Sequence, residues 1–348
     1  PGVVKLGPAD TFFAYSGLTP TVSVLAGNAV QVLYGNYDDT GNNSTTIDLL
    51  FTVTVTDSPF ADGLYLTNQA TVYEGSTNSG DQSTDALVQV VFTAPAVYGE
   101  KSVVATNGDG ILNPGLLGPD GQPWDAPGTS DPGWGGFITS NWLAGHPINS
   151  NLEDADAGDL VTFAITLENR GTGINGAFDM IIKDALSPYF EYPTIGDAAS
   201  LNLQVYYGNG TGPIAYTDIS NAVTSADALF GTGIKLVDPV GTGVCSLHNP
   251  TSGNNVIVIT YDLRLKTGAE AGSTIPNTAT LVNYAGQEGG TDFANPDIEF
   301  SAEVTVDQPE FAKSLVSTEI NSTGNDNTHA VIGEFATYQF VLTVPEGT

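Results

Sequence analysis

An all-β fold of tandem β-sandwich repeats with long Gly/Pro-rich loops is predicted by three features of the sequence. Apolar residues alternate with polar ones at period two in nearly every apolar run, helix signals are nearly absent, and one stretch of the chain occurs twice. Period two puts successive side chains on opposite faces of a strand, so alternation marks strands with one face against a core. The 41 Gly and 20 Pro supply the sharp turns between them.

The alternating runs are VQVLYG from Val30, LLFTVTVTD from Leu49, DLVTFAITLEN from Asp159, NNVIVITYDLRLK from Asn254 and TYQFVLTV from Thr337. Each is rich in Val, Ile, Thr, Tyr or Phe and bounded by Gly, Asn, Asp or Pro, the pattern of strands and turns in a sandwich. Short helical turns such as SNAVTSADALF from Ser220 are the most helix the sequence supports.

The repeated stretch is an Asn-x-Ala-Thr strand, a polar loop, a second strand and a lysine-bearing entry strand. It runs from Thr67 to Val104 and again from Pro276 to Val316, with Asn68 and Asn277, and likewise Lys101 and Lys313, about 210 residues apart. That period is domain-sized, well beyond the roughly 20–50 residues of solenoid rungs and propeller blades. Residues 1–97 read as the C-terminal part of one repeat, 98–309 as one complete repeat, and 310–348 as the N-terminal strands of the next. Because Pro1 is preceded by neither Met nor a signal peptide, the chain reads as a processed form or a window on a longer one. Partial strand exchange between neighbouring molecules is the alternative for its open ends.

Within the complete repeat, residues of about 105–150 form an insertion that holds all three tryptophans, Trp124, Trp134 and Trp142. A long Gly/Pro/Trp loop is either packed on its own domain or a binding surface with tryptophan as anchor, and both readings stay open.

Eight Lys+Arg against 39 Asp+Glu give a formal charge of −31. Such a field repels phosphate backbones and anionic lipid, which argues against nucleic acid and membrane surfaces as partners. Salt and divalent cations offset the self-repulsion, so an extracellular, calcium-containing medium suits the chain. No apolar run approaches the roughly 20 residues of a membrane-spanning helix, and direct membrane insertion is not expected. The one cysteine, Cys245, leaves no intrachain disulfide to form and reads as a small apolar filler.

The segments EKSVV and FAKSLV, AGDLVTFAITLENRG and IGEFATYQFVLTVPEGT, FDMIIKDALSP, and IPNTATLVNYAG stand in an order that resembles the DUF11-type, isopeptide-forming repeats of bacterial surface adhesins and fimbrial proteins. The resemblance implies immunoglobulin-like sandwiches strung into extracellular stalks, some closed by an amide bond between a lysine and an asparagine. Matched position by position, the lysine is Lys101, the asparagine Asn277, and the acid that promotes the bond Asp184. FDMIIKDALSP departs from the family's Asp-x-Leu-Pro in having Ser187 before Pro188. A buried lysine loses its charge and becomes nucleophilic, while a buried aspartate is held protonated and polarises the carboxamide. As ordinary structural residues, the same three would pair with a surface carboxylate, cap a turn and hydrogen-bond a loop. Asn68 and Lys313 occupy the matching positions of the flanking units.

Calcium is the one cofactor expected, with Asn107, Asp109, Asp154 and Asp156 as candidate ligands in the loops NGDG and NLEDADAGD and a further acidic loop from Asn321. His146, His248 and His329 stand singly, and nucleophile-elbow, P-loop and dinucleotide fingerprints are missing, so enzymatic action on outside substrates is not expected. Glycosylation triplets begin at Asn43, Asn209 and Asn321. The sequence therefore predicts a structural extender of a bacterial surface stalk, fibre or filament, whose partners are neighbouring repeats and other copies. An adhesive module gripping a glycan or protein through the tryptophan insertion is the alternative.

Overall fold

The computed structural model describes residues 21–26, 29–33, 55, 61–76, 79–124, 137–220, 226–319 and 329–344. The predicted strand from Leu49 (apart from Val55), Trp134, and the Asn43 and Asn321 loops lie outside those residues. The chain divides into two compact units, Pro1–Pro59 and Phe60–Thr348. In the first, β1 (Thr21–Val24) and β2 (Val30–Leu33) pair antiparallel.

The second unit is a β-sandwich flanked by two hairpins. The first hairpin joins β3 (Tyr65–Ser76) to β4 (Ser79–Val91). The sandwich follows: β5 (Val97–Thr106), β6 (Ile111–Asn113), a single helical turn α1 (Ser140–Leu143), β7 (Asn151–Ala155), β8 (Leu160–Asn169) and β9 (Phe178–Asp184). It continues with β10 (Phe190–Glu191), β11 (Gln204–Tyr207), β12 (Tyr216–Asp218), β13 (Ile234–Leu236), β14 (Val256–Leu265), β15 (Thr274–Ala285) and β16 (Ile298–Val306). The second hairpin is β17 (Glu310–Thr318) with β18 (Ala336–Thr343). A 3-10 turn at Ala226–Phe230 occupies part of the predicted helical segment.

One sheet runs β10-β14-β8-β5, with β11 also paired to β14; the other runs β12-β13-β9-β15-β16-β7-β6. Between them lies one core, to which Phe163, Ile165, Ile259 and Tyr261 contribute from the first sheet and Met180, Ile182, Leu281 and Val304 from the second. The outer face of the five-stranded sheet is covered as well. Val104, Ala164, Val256 and Val258 point away from the main core and pack with Trp124, Ile138 and Ile148 of the tryptophan insertion. These described residues of the insertion form a cover, which is why β14 is buried on both faces instead of alternating with solvent.

The second hairpin reproduces the opening of the sandwich. Lys101 lies opposite Ile165 and Lys313 opposite Phe340, and each strand pair shifts register between the second and fourth residue beyond its lysine. Gly158 at φ 99° and Gly333 at φ 94° precede the second strand of each pair, at matching distances from Ile165 and Phe340. Only glycine adopts that backbone freely, so the same turn introduces the same strand twice. Unlike their counterparts in the sandwich, Phe311, Phe340 and Leu342 are exposed. Among the described residues no helix is long and apolar enough to cross a membrane.

Candidate functional site

In β5, Val97, Lys101 and Val103 all face the core, so the period-two pattern that buries the valines carries the Lys101 side chain between the sheets. Asn277 likewise takes a core position of β15, between Ile275 and Ala279. Asp184 ends β9 and pairs with Ala279 across the ladder. Tyr261 comes from β14 and Phe163 from its neighbour β8.

These side chains form a closed polar cluster inside an apolar core. Lys101 Nζ donates to Asp184 Oδ2 at 2.6 Å, and both side chains are fully shielded from solvent. The Tyr261 hydroxyl also donates to Asp184 Oδ2, and Asn277 Nδ2 donates to the Tyr261 oxygen at 3.3 Å. The ammonium lies 5.4 Å from the Phe163 ring centre and 5.6 Å from that of Tyr261, rings that stack on each other at 5.6 Å. Asp184 Oδ1 and Asn277 Oδ1 find no hydrogen-bond partner among the described residues.

Burial acts on both charges in the direction of neutrality. It lowers Lys101 from its usual 10.5 to about 8, against the opposing attraction of Asp184. It raises Asp184, the hydrogen bonds from Lys101 and Tyr261 opposing. A neutral amine beside a protonated acid and a carboxamide is the set of groups needed to make an amide and release ammonia. The structure thus gathers Lys101, Asp184 and Asn277, which are dispersed in sequence, and adds Tyr261, for which the sequence carried no signal.

The other predicted residues lie elsewhere. Trp124 is 5% exposed and sits in the outer cluster, so its ring offers no free face to a ligand, in contrast to the binding expectation. Trp142 packs beside the same cluster and stacks on His146 at 5.1 Å. Among the described residues, the carboxylates of Asp109, Asp154 and Asp156 do not belong to a converging acidic group. In and beside their loops, Asn107 Oδ1 accepts from Leu160 N and Asp159 Oδ2 from Asp156 N. Cys245 is buried, donates to the Asn255 carbonyl, and has its thiol pushed up to about 12 by burial. Asn68 on β3 and Lys313 on β17 are exposed. Lys313 lies 4.5 Å from the Tyr338 ring centre and 5.2 Å from that of Phe340.

Among the described residues one acidic group does converge: Asp179, Asp238 and Glu288. Lys235 sits among them, bonded to Asp179 and 3.8 Å from Glu288. Backbone amides of Asp179 and Val244 occupy Asp238, and that of Gly289 occupies Asp179. Lys235 thus sets one positive charge against the three carboxylates.

No protein-family model matches the sequence, and no curated protein does. Among solved structures, the chain is similar to BcpA, the major pilin subunit of Bacillus cereus, at 10% identity and TM-score 0.28, over 47% of this chain and 39% of that one. A variant of the same pilin matches at 10% identity and TM-score 0.31, over 87% and 68%. The T6 backbone pilin of serotype M6 Streptococcus pyogenes matches at 12% identity and TM-score 0.28, over 84% and 50%. A family 123 glycoside hydrolase from Clostridium perfringens matches at 9% identity and TM-score 0.24, over 60% and 27%. Likenesses this slight carry no weight for function, which rests on the geometry of the chain itself.

Proposed function

We propose that the chain is a structural extender of a bacterial cell-surface stalk or fibre, and that its central sandwich locks itself with an amide bond between Lys101 and Asn277. One observation carries this reading: a lysine, an aspartate and an asparagine share one solvent-free cluster that spans the two sheets, with Lys101 Nζ 2.6 Å from Asp184. A fully buried Lys–Asp pair is a poor source of stability, because desolvation offsets most of its attraction. The same arrangement is well made for chemistry.

In the reaction, Lys101 Nζ attacks Asn277 Cγ, the bond from Cγ to Nδ2 breaks, and ammonia leaves. Asp184 manages the protons and ends in its starting form. The product joins β5, where the chain enters the sandwich, to β15 in the opposite sheet. On the entropic model such a tie across so long a loop is worth on the order of 5 kcal/mol. It provides a cystine-free chain with a covalent brace. The repeated register at Lys313 and the formal charge of −31 support a serially extended protein in an ion-rich exterior.

Intact mass of the folded protein tests the reading: about 17 Da less than the sequence mass is expected, for one ammonia lost. Asn277→Ala should return the full mass, and a wild-type chain at full mass sinks the cross-link.

A further inference from the structure

We propose that Tyr261 is a catalytic residue of this cross-linking site, the group that hands a proton to the departing ammonia. The inference rests on the cross-link read above, and it names the group that carries a proton between Asp184 and the leaving nitrogen.

The direction of the hydrogen bonds makes the case. A tyrosine hydroxyl has one proton, and that of Tyr261 goes to Asp184 Oδ2. Towards Asn277 the hydroxyl can then only accept, which turns the carboxamide so that Nδ2, the leaving nitrogen, faces the phenol at 3.3 Å. Asn277 Oδ1 has no partner among the described residues. The carboxamide is therefore engaged from its nitrogen side, and Asp184 reaches that nitrogen through Tyr261. Lys101 approaches the same Asp184 oxygen from the other side.

A balanced relay follows. Attack by the neutral Lys101 amine on Cγ gives a tetrahedral adduct with a positively charged Nζ and a negatively charged oxygen. With the proton shed by the Lys101 ammonium now on Oδ2, the bond between Asp184 and Tyr261 reverses, so Tyr261 gives its own proton to Nδ2 and takes the one on Asp184; Asp184 then removes a proton from Nζ. The adduct collapses, ammonia departs with the electrons of its bond to Cγ, and both relay groups regain their initial protonation. No oxidant, metal or water is consumed.

The test follows bond formation in time. Wild-type and Tyr261→Phe chains made in a short cell-free synthesis are sampled by intact mass, with Asn277→Ala as the non-bonding control. Removing a positioned proton donor costs about 100-fold or more in rate, so Tyr261→Phe is expected to lose its 17 Da at least about 100-fold more slowly than wild type. Urea unfolding of Asn277→Ala with and without Tyr261→Phe separates this from a folding defect. Should the phenylalanine chain not fold, protein labelled throughout with 3-fluorotyrosine keeps the ring and hydroxyl but makes the latter more acidic. The relay then predicts an altered rate and a shifted pH profile. Equal rates in wild type and Tyr261→Phe, or an unchanged rate with the fluorinated ring, overturn the relay while leaving the cross-link standing. A wild type that never loses 17 Da overturns both.

Discussion

Asp62 grips Thr172 twice, accepting from its backbone amide at 3.0 Å and its hydroxyl at 2.6 Å, across 110 residues of chain. A third bond, from the Ala94 amide at 2.9 Å, adds the segment leading into β5. The base of the first hairpin is thereby fastened to the loop that follows β8. Asp62→Ala should release it, costing about 1 kcal/mol, and the amides of Ala94 and Thr172 should exchange faster with deuterium. Burial pushes the Asp62 carboxyl up, but the bonds from Thr172 and Ala94 outweigh it and leave its pKa below the usual 3.8. The stability this carboxylate contributes is present above pH 3.8 and is lost as pH falls through its lower folded value. Exchange at Thr172 that is unchanged in the variant would show that the grip does not order the loop.

The Lys101–Asp184 pair predicts an unusual stability profile in Asn277→Ala, where no cross-link can form. Lys101 titrates at about 8 when folded and 10.5 otherwise. Between those values the unfolded chain holds more protons, so stability should rise with pH. Asp184 is raised above 3.8, so in the window just above that value stability should fall as pH rises. Urea midpoints from pH 3 to 11 measure both limbs; a flat profile contradicts the burial of these charges.

Trp124→Ala should leave a cavity between the insertion and the outer face of β5, β8 and β14, at a cost of about 3–5 kcal/mol. Its ring packs with Ile138, Ile148, Val104 and Val258, all nearly unexposed. Denaturant unfolding measures the loss. Retained stability would mean that the cover is not held by this ring.

Lys235→Ala should leave Asp179, Asp238 and Glu288 without their cation. The lysine is about one-third exposed, so the loss at pH 7 should be modest, about 1 kcal/mol. Added calcium, or a pH low enough to protonate the carboxylates, should restore part of it. Melting temperatures of the variant with and without calcium decide the matter, and the wild type should respond less because Lys235 already pairs with Asp179 and Glu288.

The strands around Val161, Ile257 and Tyr338 were legible because period two survives in the sequence whatever lies on the second face. What period two could not show was that β14 has no solvent face, since Val256 and Val258 are covered by an insertion remote in the chain. Lys101, Asp184 and Asn277 were legible only through resemblance to known repeats; alone, each is a common polar residue. Tyr261 left no trace, being one of 14 tyrosines and sitting where any large core residue would fit. Calcium at the loops from Asn107 and Asn151 was not legible either way, because Asn and Asp that close turns have the same composition as those that hold ions. Lys235 and its three acids escaped notice because residues distant in sequence meet only after the sheets form.

The dryness of the cluster has a further consequence. Undoing an amide requires water, and Lys101, Asp184, Tyr261 and Asn277 are each at most 2% exposed. The shielding that favours the neutral form of the lysine also keeps out the reagent that would reverse the proposed reaction. Under the proposed cross-link, a site built this way is spent after one event: the chain is both catalyst and substrate, and its mass thereafter records that the sandwich once closed correctly.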